Sequence, residues 1–384
     1  MLDLGKIRSD IDAIDRQLVD LFEERINLCR DVARYKIENN KKVLDTDREN
    51  QKLDAIRSMV KDNENVYAVA DLFSQIMSNS RKMQYRMLEE TNSLMEPYEV
   101  IDCIDKSNCK VVYQGVAGAY SYIAMKRYFG NEVNNFAVPT WKDAMEAVKS
   151  GKADYAVLPI ENSTAGIVAG VYDLLQEFDN YIVAETYVKV EHALLGLPGT
   201  DLDKVTTVYS HPQGLMQCER FLELHKNWKQ ISQANTAGSA KKVLEENNPT
   251  HVAIASREAA EVYGLEVLKQ EVNDADNNTT RFVIVTNKRR FVKDAKKISI
   301  VFETKNEAGT LYNLLSHIIY NGLNMNKIES RPNMNKAESK SIEDKNWEFR
   351  FFVDFEGNLA EPSVMNALRG IEEEAETIKL LGNY

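Results

Sequence analysis

The chain has 384 residues and a formal net charge of −11. That length exceeds one ordinary core and calls for two or three domains, while the acidic balance excludes nucleic acid or an anionic membrane as the general partner. Four cysteines without C-x-x-C spacing give no disulfide or metal framework, and no apolar run approaches the ~18 residues of a spanning helix, so the expectation is a soluble cytoplasmic protein without metal.

Residues 5–90 read as three helices, to about Asn39, from Thr46 to about Lys61, and from about Tyr67 to Glu90. In the first, Ile7, Ile11, Ile14, Leu18, Leu21, Leu28, Val32 and Tyr35 recur at alternating steps of four and three, with Arg25 in one slot. Such a stripe is buried by partner helices, and a guanidinium there requires an anion. A facing carboxylate or a bound ligand could each supply it. Lys36 lies about three helical turns on and roughly 20° round the same face, so two cations point into one interior. Asp45, Arg48 and Glu49 share a face of the second helix. The apolar stripe of the third runs out into Ser80 and Gln84, one turn apart. Arg8 lies about 100° round from Arg25 and should reach a different surface, such as a pocket on a neighbouring chain.

With Arg8, Arg25, Lys36, Asp45, Arg48, Glu49, Ser80 and Gln84 on its active-site pattern, this segment resembles the all-α chorismate mutases. The resemblance implies an intertwined dimer that rearranges chorismate to prephenate, with Arg8 contributed across the interface. It further implies that Arg8, Arg25 and Arg48 hold the substrate carboxylates and that Lys36 and Gln84 donate to the breaking ether oxygen. Asp45 and Glu49, supported by Ser80, would hold the ring hydroxyl. No proton moves in that reaction, so positioning and charge stabilisation suffice.

Residues 91–109 lose periodicity and read as a linker. From Lys110 to Asn287 short apolar strands, among them Val111–Tyr113, Asp154–Ile160, Val205–Tyr209 and His251–Ala255, alternate with helices, giving α/β layers. Polar clusters follow the strands: Ser121 after Gly115-Val-Ala-Gly118, then Glu161-Asn162-Ser163, then Ser210-His211-Pro212-Gln213. Each could be an N-cap; several together point to a ligand cleft at strand ends. The Gly115 and Gly118 loop lacks a dinucleotide fingerprint and a P-loop lysine, so no nucleotide is expected.

Glu161-Asn162-Ser163-Thr-Ala-Gly166, Ser210-His211-Pro212-Gln213 with Gln217-Cys218, and Asn278-Thr279-Thr280-Arg281-Phe282 make the unit similar to prephenate dehydratases. These have a two-lobed fold like the periplasmic binding proteins, with the ligand between lobes. The resemblance implies loss of water and carbon dioxide from prephenate to leave phenylpyruvate, without a cofactor. Thr280 would assist departure of the ring hydroxyl through a network or water, Glu161 being the alternative donor. Arg281 reads either as a carboxylate anchor or as an interlobe ion pair. His211 and Cys218 read as structural, for want of a nucleophile-base pairing.

The last unit, residues 297–384, reads βαββαβ, an α+β ferredoxin-like order, with a hairpin loop over 333–345. Gly309-Thr310-Leu311 at the first strand-to-helix turn and Glu329-Ser330-Arg331-Pro332 ending the second strand could be turn chemistry. Together they resemble the ACT domains of prephenate dehydratases, which bind phenylalanine between paired domains. Gly309, Leu311, Glu329, Ser330 and Arg331 would form the effector site, although Thr310 and Asn326 depart from the residues usual beside these motifs. The sequence as a whole is expected to be a homodimeric or homotetrameric bifunctional enzyme of phenylalanine biosynthesis. Two alternatives stand beside it: a dehydratase whose mutase unit is mainly regulatory, and a non-catalytic amino-acid-sensing protein.

Overall fold

The computed structural model describes residues 2–88, 98–333 and 349–384. The reading of the third helix beyond 88 and of the hairpin loop beyond 333 lies outside the described residues. Two compact units emerge, one of residues 1–97 and 300–379, the other of residues 98–299 and 380–384.

The first unit begins with three helices, α1 (Leu4–Glu38), α2 (Thr46–Met59) and α3 (Val66–Met87). Asp3 caps α1 by accepting from Gly5 and Lys6, and Asp45 caps α2 by accepting from Arg48, which satisfies first-turn N–H groups that the helices leave open. With 35 residues α1 is about 52 Å long at ~1.5 Å per residue. Ile11, Ile14, Leu18 and Leu21 along its seam are each at least 50% exposed.

The second unit opens with β1 (Glu99–Ile101), β2 (Lys110–Gln114), α4 (Tyr120–Phe129), β3 (Asn134–Val138), α5 (Trp141–Lys149) and β4 (Tyr155–Asn162). It continues through β5 (Gly166–Ile167), α6 (Ala169–Glu177) and β6 (Tyr181–Lys189). A second lobe holds β7 (His192–Gly196), β8 (Thr207–Ser210), α7 (Pro212–Met216), α8 (Glu219–Glu223), β9 (Lys229–Ser232), α9 (Thr236–Glu246), β10 (His251–Ser256), α10 (Arg257–Tyr263) and β11 (Glu266–Lys269). The chain then returns through β12 (Thr279–Thr286) and β13 (Arg290–Val292).

Strands run β6-β12-β4-β2-β3 in one lobe and β11-β7-β10-β8-β9 in the other. The returning strand β12 lies antiparallel between β4 and β6, inside the sheet of the first lobe. Its Phe282 and Ile284 pack with Val111, Tyr113, Met125 and Val157; in the other lobe Leu195, Ala240, Ala253 and Ala255 share a core. Gly115 and Gly118 turn from β2 into α4 with φ of +109° and +82°, a region costly for residues bearing a Cβ. The linker reading needs correction at one point: Glu99–Ile101 pairs in parallel with Arg290–Val292, so a three-residue strand too short to show a period lies within it.

The C-terminal elements are β14 (Lys297–Glu303), α11 (Thr310–Tyr320), β15 (Met325–Pro332), β16 (Phe349–Glu356), α12 (Pro362–Glu374) and β17 (Thr377–Asn383). The order is βαββαβ and the strands lie β15-β16-β14-β17, leaving β15 at an edge. Helices α11 and α12 meet closely, because a Cβ on Gly370 would stand 2.2 Å from Nδ1 of His317.

Candidate active sites

A cleft of about 420 Å³ opens in the second unit, lined by residues of both lobes. Of the residues singled out from sequence, Ser121, Asn162, Gln213, Gln217 and Thr280 line it. Thr280 and Asn162 are nearly buried and occupy opposite positions on β12 and β4. Asn162 Nδ2 donates to Thr280 Oγ1 at 2.9 Å and to Asn278 Oδ1 at 2.7 Å. Since the Thr280 oxygen accepts, its own O–H is left to donate toward the cleft.

That bond ends a longer chain. His192 Nε2 lies 3.0 Å from Gln217 Oε1, Gln217 Nε2 donates to Thr164 Oγ1 at 3.1 Å, and Thr164 Oγ1 donates to Asn162 Oδ1 at 2.8 Å. Burial pushes the His192 pKa down, against the raising effect of its bond to Gln217, so the imidazole is neutral near pH 7. Gln217 meets Nε2 through its amide oxygen, which can only accept because its amide nitrogen donates to Thr164, so the neutral ring carries its proton on Nε2. Nδ1 stands 3.1 Å from the Tyr120 hydroxyl, which also reaches the Glu191 carbonyl at 3.1 Å. Donors therefore run in one direction, from His192 to Thr280, and each bond polarises the next.

Sequence reasoning missed His192, Tyr120, Gln114 and Asn235, all of which line the cleft. Gln114 ends β2 and Asn235 caps α9 after β9, so the strand-end rule that found the others also reaches them. His192 opens β7 at the crossing between lobes, where no local pattern marks it. His192→Phe should lower turnover at this cleft about tenfold with KM little changed. His192→Gln, which can place an amide N–H near the Nε2 position, should recover part of it in steady-state kinetics.

Four expected residues lie elsewhere. Ser210 is fully buried and donates to the Ile254 carbonyl. Ser163 joins its loop to β12 by donating to Asn277 and accepting from Thr279. Arg281 and Glu161 do not line the cleft: strand alternation sends Arg281 to the face opposite Thr280, where Nε meets Glu185 at 2.7 Å, Nη2 meets the Tyr384 hydroxyl at 2.8 Å and Nη1 stands 3.8 Å from Glu161. No Lys or Arg is among the lining residues. The N-terminal end of α4 borders the cleft at Ala119, Tyr120 and Ser121, and its N-cap Ala119 offers no side-chain acceptor, so its first-turn N–H groups are not capped by a side chain. Cys218 is buried with its thiol pushed up to about 12 by burial and by Asp274, which makes it inert. His211 lines the cleft, its pKa lowered by burial, and its Nδ1 accepts from the Gln213 N–H.

Burial raises the Glu185 pKa, but hydrogen bonding from Lys297 and the Arg281 charge outweigh it and hold the carboxyl below its ordinary 4.5. A folded-state pKa below the unfolded one gives stability that is complete above the unfolded value and is lost as pH falls through the folded one. Glu185→Gln should therefore cost about 2 kcal/mol at pH 7. It should also flatten the loss of stability below pH 4.5, as measured by urea unfolding at several pH values.

In the first unit, Arg25 Nη1 donates to Ser80 Oγ at 2.7 Å and lies 3.6 Å from Cys29 Sγ. No protein carboxylate is paired with it among the described residues, which leaves the ligand reading open. Lys36 donates to the Val43 carbonyl and lines a small pocket with Leu44 and Asp45. Gln84 is buried and its Oε1 has no hydrogen-bond partner among the described residues. Arg48 is exposed on the first turn of α2, and Glu49 is held by Arg81, a buried cation that periodicity did not flag. Arg8 is exposed at the far end of α1, about 25 Å from Arg25 along the helix, so it cannot share that pocket within one chain.

Comparison with known proteins matches both regions. The chorismate mutase type II family model matches residues 7–85 and the prephenate dehydratase model residues 111–290. A bifunctional chorismate mutase/prephenate dehydratase of Escherichia coli (strain K12) is 31% identical over 98% of this chain and 95% of its own length. Among solved structures, a prephenate dehydratase of Arthrobacter aurescens in complex with L-Phe superposes with a TM-score of 0.64 at 26% identity, over 72% of this chain and 89% of that one. GqqA, described as a novel type of quorum quenching acylase, does so with a TM-score of 0.63 at 31% identity, over 72% of this chain and 97% of that one.

Proposed function

The chain belongs to the family of bifunctional chorismate mutase/prephenate dehydratases, and from that premise we propose how its residues divide the work. The chain rearranges chorismate to prephenate and converts prephenate to phenylpyruvate, carbon dioxide and water, within phenylalanine biosynthesis. The mutase reaction runs in the helical segment. Arg25 and Arg48, with Arg8 from a second copy, hold the substrate carboxylates by charge-assisted bonds. Lys36 and Gln84 donate to the ether oxygen as its bond breaks, and Asp45 and Glu49, with Ser80 in support, hold the ring hydroxyl. The exposed apolar seam of α1 and the distance of Arg8 from Arg25 support a homodimer in which α1 packs against its counterpart.

The dehydratase reaction runs in the cleft, and the observation that carries its assignment is the hydrogen-bond chain ending on Thr280. With Asn162 donating to its oxygen, Thr280 directs its O–H to the departing ring hydroxyl. The carboxylate carbon–carbon bond breaks, carbon dioxide leaves, and the electron pair enters the ring as the hydroxyl departs as water with a proton passed through Thr280, whose hydroxyl regains its own from solvent. Aromatisation drives both cleavages. The α4 N-terminus, Ser121, Gln213 and Gln217 receive the substrate anions and polar groups. Arg281 and Glu161 support the strand from behind, a role that fits their ion pairing better than substrate contact. The cleft hydroxyls of Ser121 and Thr280 make no hydrogen bond to a histidine among the described residues, so the likeness to an acylase comes without the nucleophile-base pairing that acyl transfer uses.

The βαββαβ segment is assigned as a ferredoxin-like ACT domain that binds phenylalanine as feedback inhibitor. The L-Phe complex of the Arthrobacter aurescens relative supports the ligand. Gly309, with a left-handed φ of +86° at the start of α11, and Leu311 would form one wall, and Glu329, Ser330 and Arg331 on the edge strand β15 the other. Purified protein given chorismate should release phenylpyruvate, with added phenylalanine reducing the rate. Chorismate left untouched would remove the mutase assignment; phenylpyruvate formation indifferent to millimolar phenylalanine would remove the effector assignment.

A further inference from the structure

We propose that the C-terminal segment supplies two positioning residues, Glu373 and Glu374 of α12, to the mutase pocket. The inference rests on the assignment of that pocket to the helical segment. The Glu373 carboxylate accepts the backbone N–H of Val43 at 3.1 Å through one oxygen and that of Leu44 at 3.0 Å through the other. The Tyr85 hydroxyl donates to it as well. These are not incidental amides. The Val43 carbonyl is the acceptor of the Lys36 ammonium, and Asp45, the next residue after Leu44, caps α2. One carboxylate from far along the chain thus secures the turn that carries the Lys36 tether and the Asp45 side chain.

Glu374 acts on the other wall. Its Oε1 lies 2.9 Å from Arg81 Nε and 3.0 Å from His317 Nε2, and Arg81 in turn grips Glu49 through Nη1. Arg81 is the immediate neighbour of Ser80, which holds Arg25. The pair is nearly buried, with the Arg81 and Glu374 side chains 7% and 9% exposed, so Arg81 is not free to swing with solvent. Burial alone would raise the Glu374 pKa, yet the His317 and Arg81 interactions bring it below the ordinary value, consistent with a fixed anion near neutral pH.

Two adjacent glutamates therefore reach residues on each side of the pocket: Lys36 and Asp45 through the turn, and Glu49 through Arg81. None of these contacts places Glu373 or Glu374 on the substrate. Their effect is orientation, and small displacements of positioning groups are expensive in rate. Plain packing of α12 against α3 would make the same glutamates matter for stability alone.

The test uses the full chain with Glu373→Ala, Glu373→Gln and Tyr85→Phe, measuring mutase kinetics on chorismate and dehydratase kinetics on prephenate in the same preparations. The inference expects Glu373→Ala to lower mutase kcat at least tenfold while dehydratase kcat and KM stay within twofold of wild type. Glu373→Gln, retaining one carbonyl acceptor for the two amides, should lie between. Tyr85→Phe, which leaves both amide bonds intact, should stay near wild type and show that loosened packing is insufficient. Mutase kinetics within twofold of wild type in Glu373→Ala, with only a lower melting temperature, would overturn the inference. A fall in Tyr85→Phe as large as in Glu373→Ala would also overturn it, by making general packing the cause. A wild-type chain inert toward chorismate would overturn the pocket assignment beneath it, a different result from a variant indistinguishable from an active parent.

Discussion

Thr280→Val should lower dehydratase kcat by about 10²–10³ while leaving mutase turnover unchanged. Valine keeps the branched shape on β12 and removes only the hydroxyl. In the proposed assignment the lost donor serves the leaving hydroxyl, and positioned proton donors contribute about 10²–10⁴ in rate. At ~1.4 kcal/mol per decade this is about 3–4 kcal/mol of transition-state stabilisation. The structural cost is smaller, because Asn162 Nδ2 retains its 2.7 Å bond to Asn278 and so is not orphaned by the change; about 1 kcal/mol of stability is at stake. The kinetic effect should therefore exceed the stability effect several-fold. Steady-state rates on prephenate, set beside the rate on chorismate in the same preparation, check this. A variant that keeps more than a third of wild-type dehydratase turnover would show that Thr280 is not the donor.

Lys36→Ala should abolish most mutase turnover, by about 10²–10³ in kcat, and spare the dehydratase. In this rearrangement negative charge develops on the ether oxygen with no proton transfer to help, so a preorganised cation is worth most in the transition state. The ammonium is already held at the Val43 carbonyl, which limits its search once substrate arrives. Arginine should not rescue it, because a planar fork cannot replace a compact ammonium at one oxygen. The side chain is only half-buried, so its truncation should cost little stability. Chorismate disappearance followed by absorbance separates the outcomes, and a loss shared by both activities would point to misfolding.

The helices of the first unit and the βαββαβ order of the last could be read because their apolar residues keep a period over many turns or along whole strands. The cleft was readable in part, since polar residues after strands mark the ends where ligands bind. Arg281 shows where that reading fell short. Period two along β12 places it on the face opposite Thr280, but the motif alone does not choose between a carboxylate anchor and an ion pair, and its partner Glu185 lies on another strand, far off in sequence. His192 was out of reach for another reason: it acts through Gln217, Thr164 and Asn162, which approach only when the two lobes fold. Glu373 and Glu374 ended an ordinary amphipathic helix in sequence. Their partners at Val43, Leu44 and Arg81 lie about three hundred positions away, and no local pattern encodes a contact at that range. The Glu99–Ile101 strand was hidden likewise, its partner being another three-residue strand inside a basic run.

The central claim, two separate active sites on one chain joined by prephenate, is tested most directly by supplying chorismate to Thr280→Val and identifying what accumulates. The account predicts prephenate at close to the wild-type rate of chorismate consumption, with phenylpyruvate production reduced by about 10²–10³. Chorismate remaining unconsumed by this variant, while the wild type consumes it, would contradict the separation of the two sites.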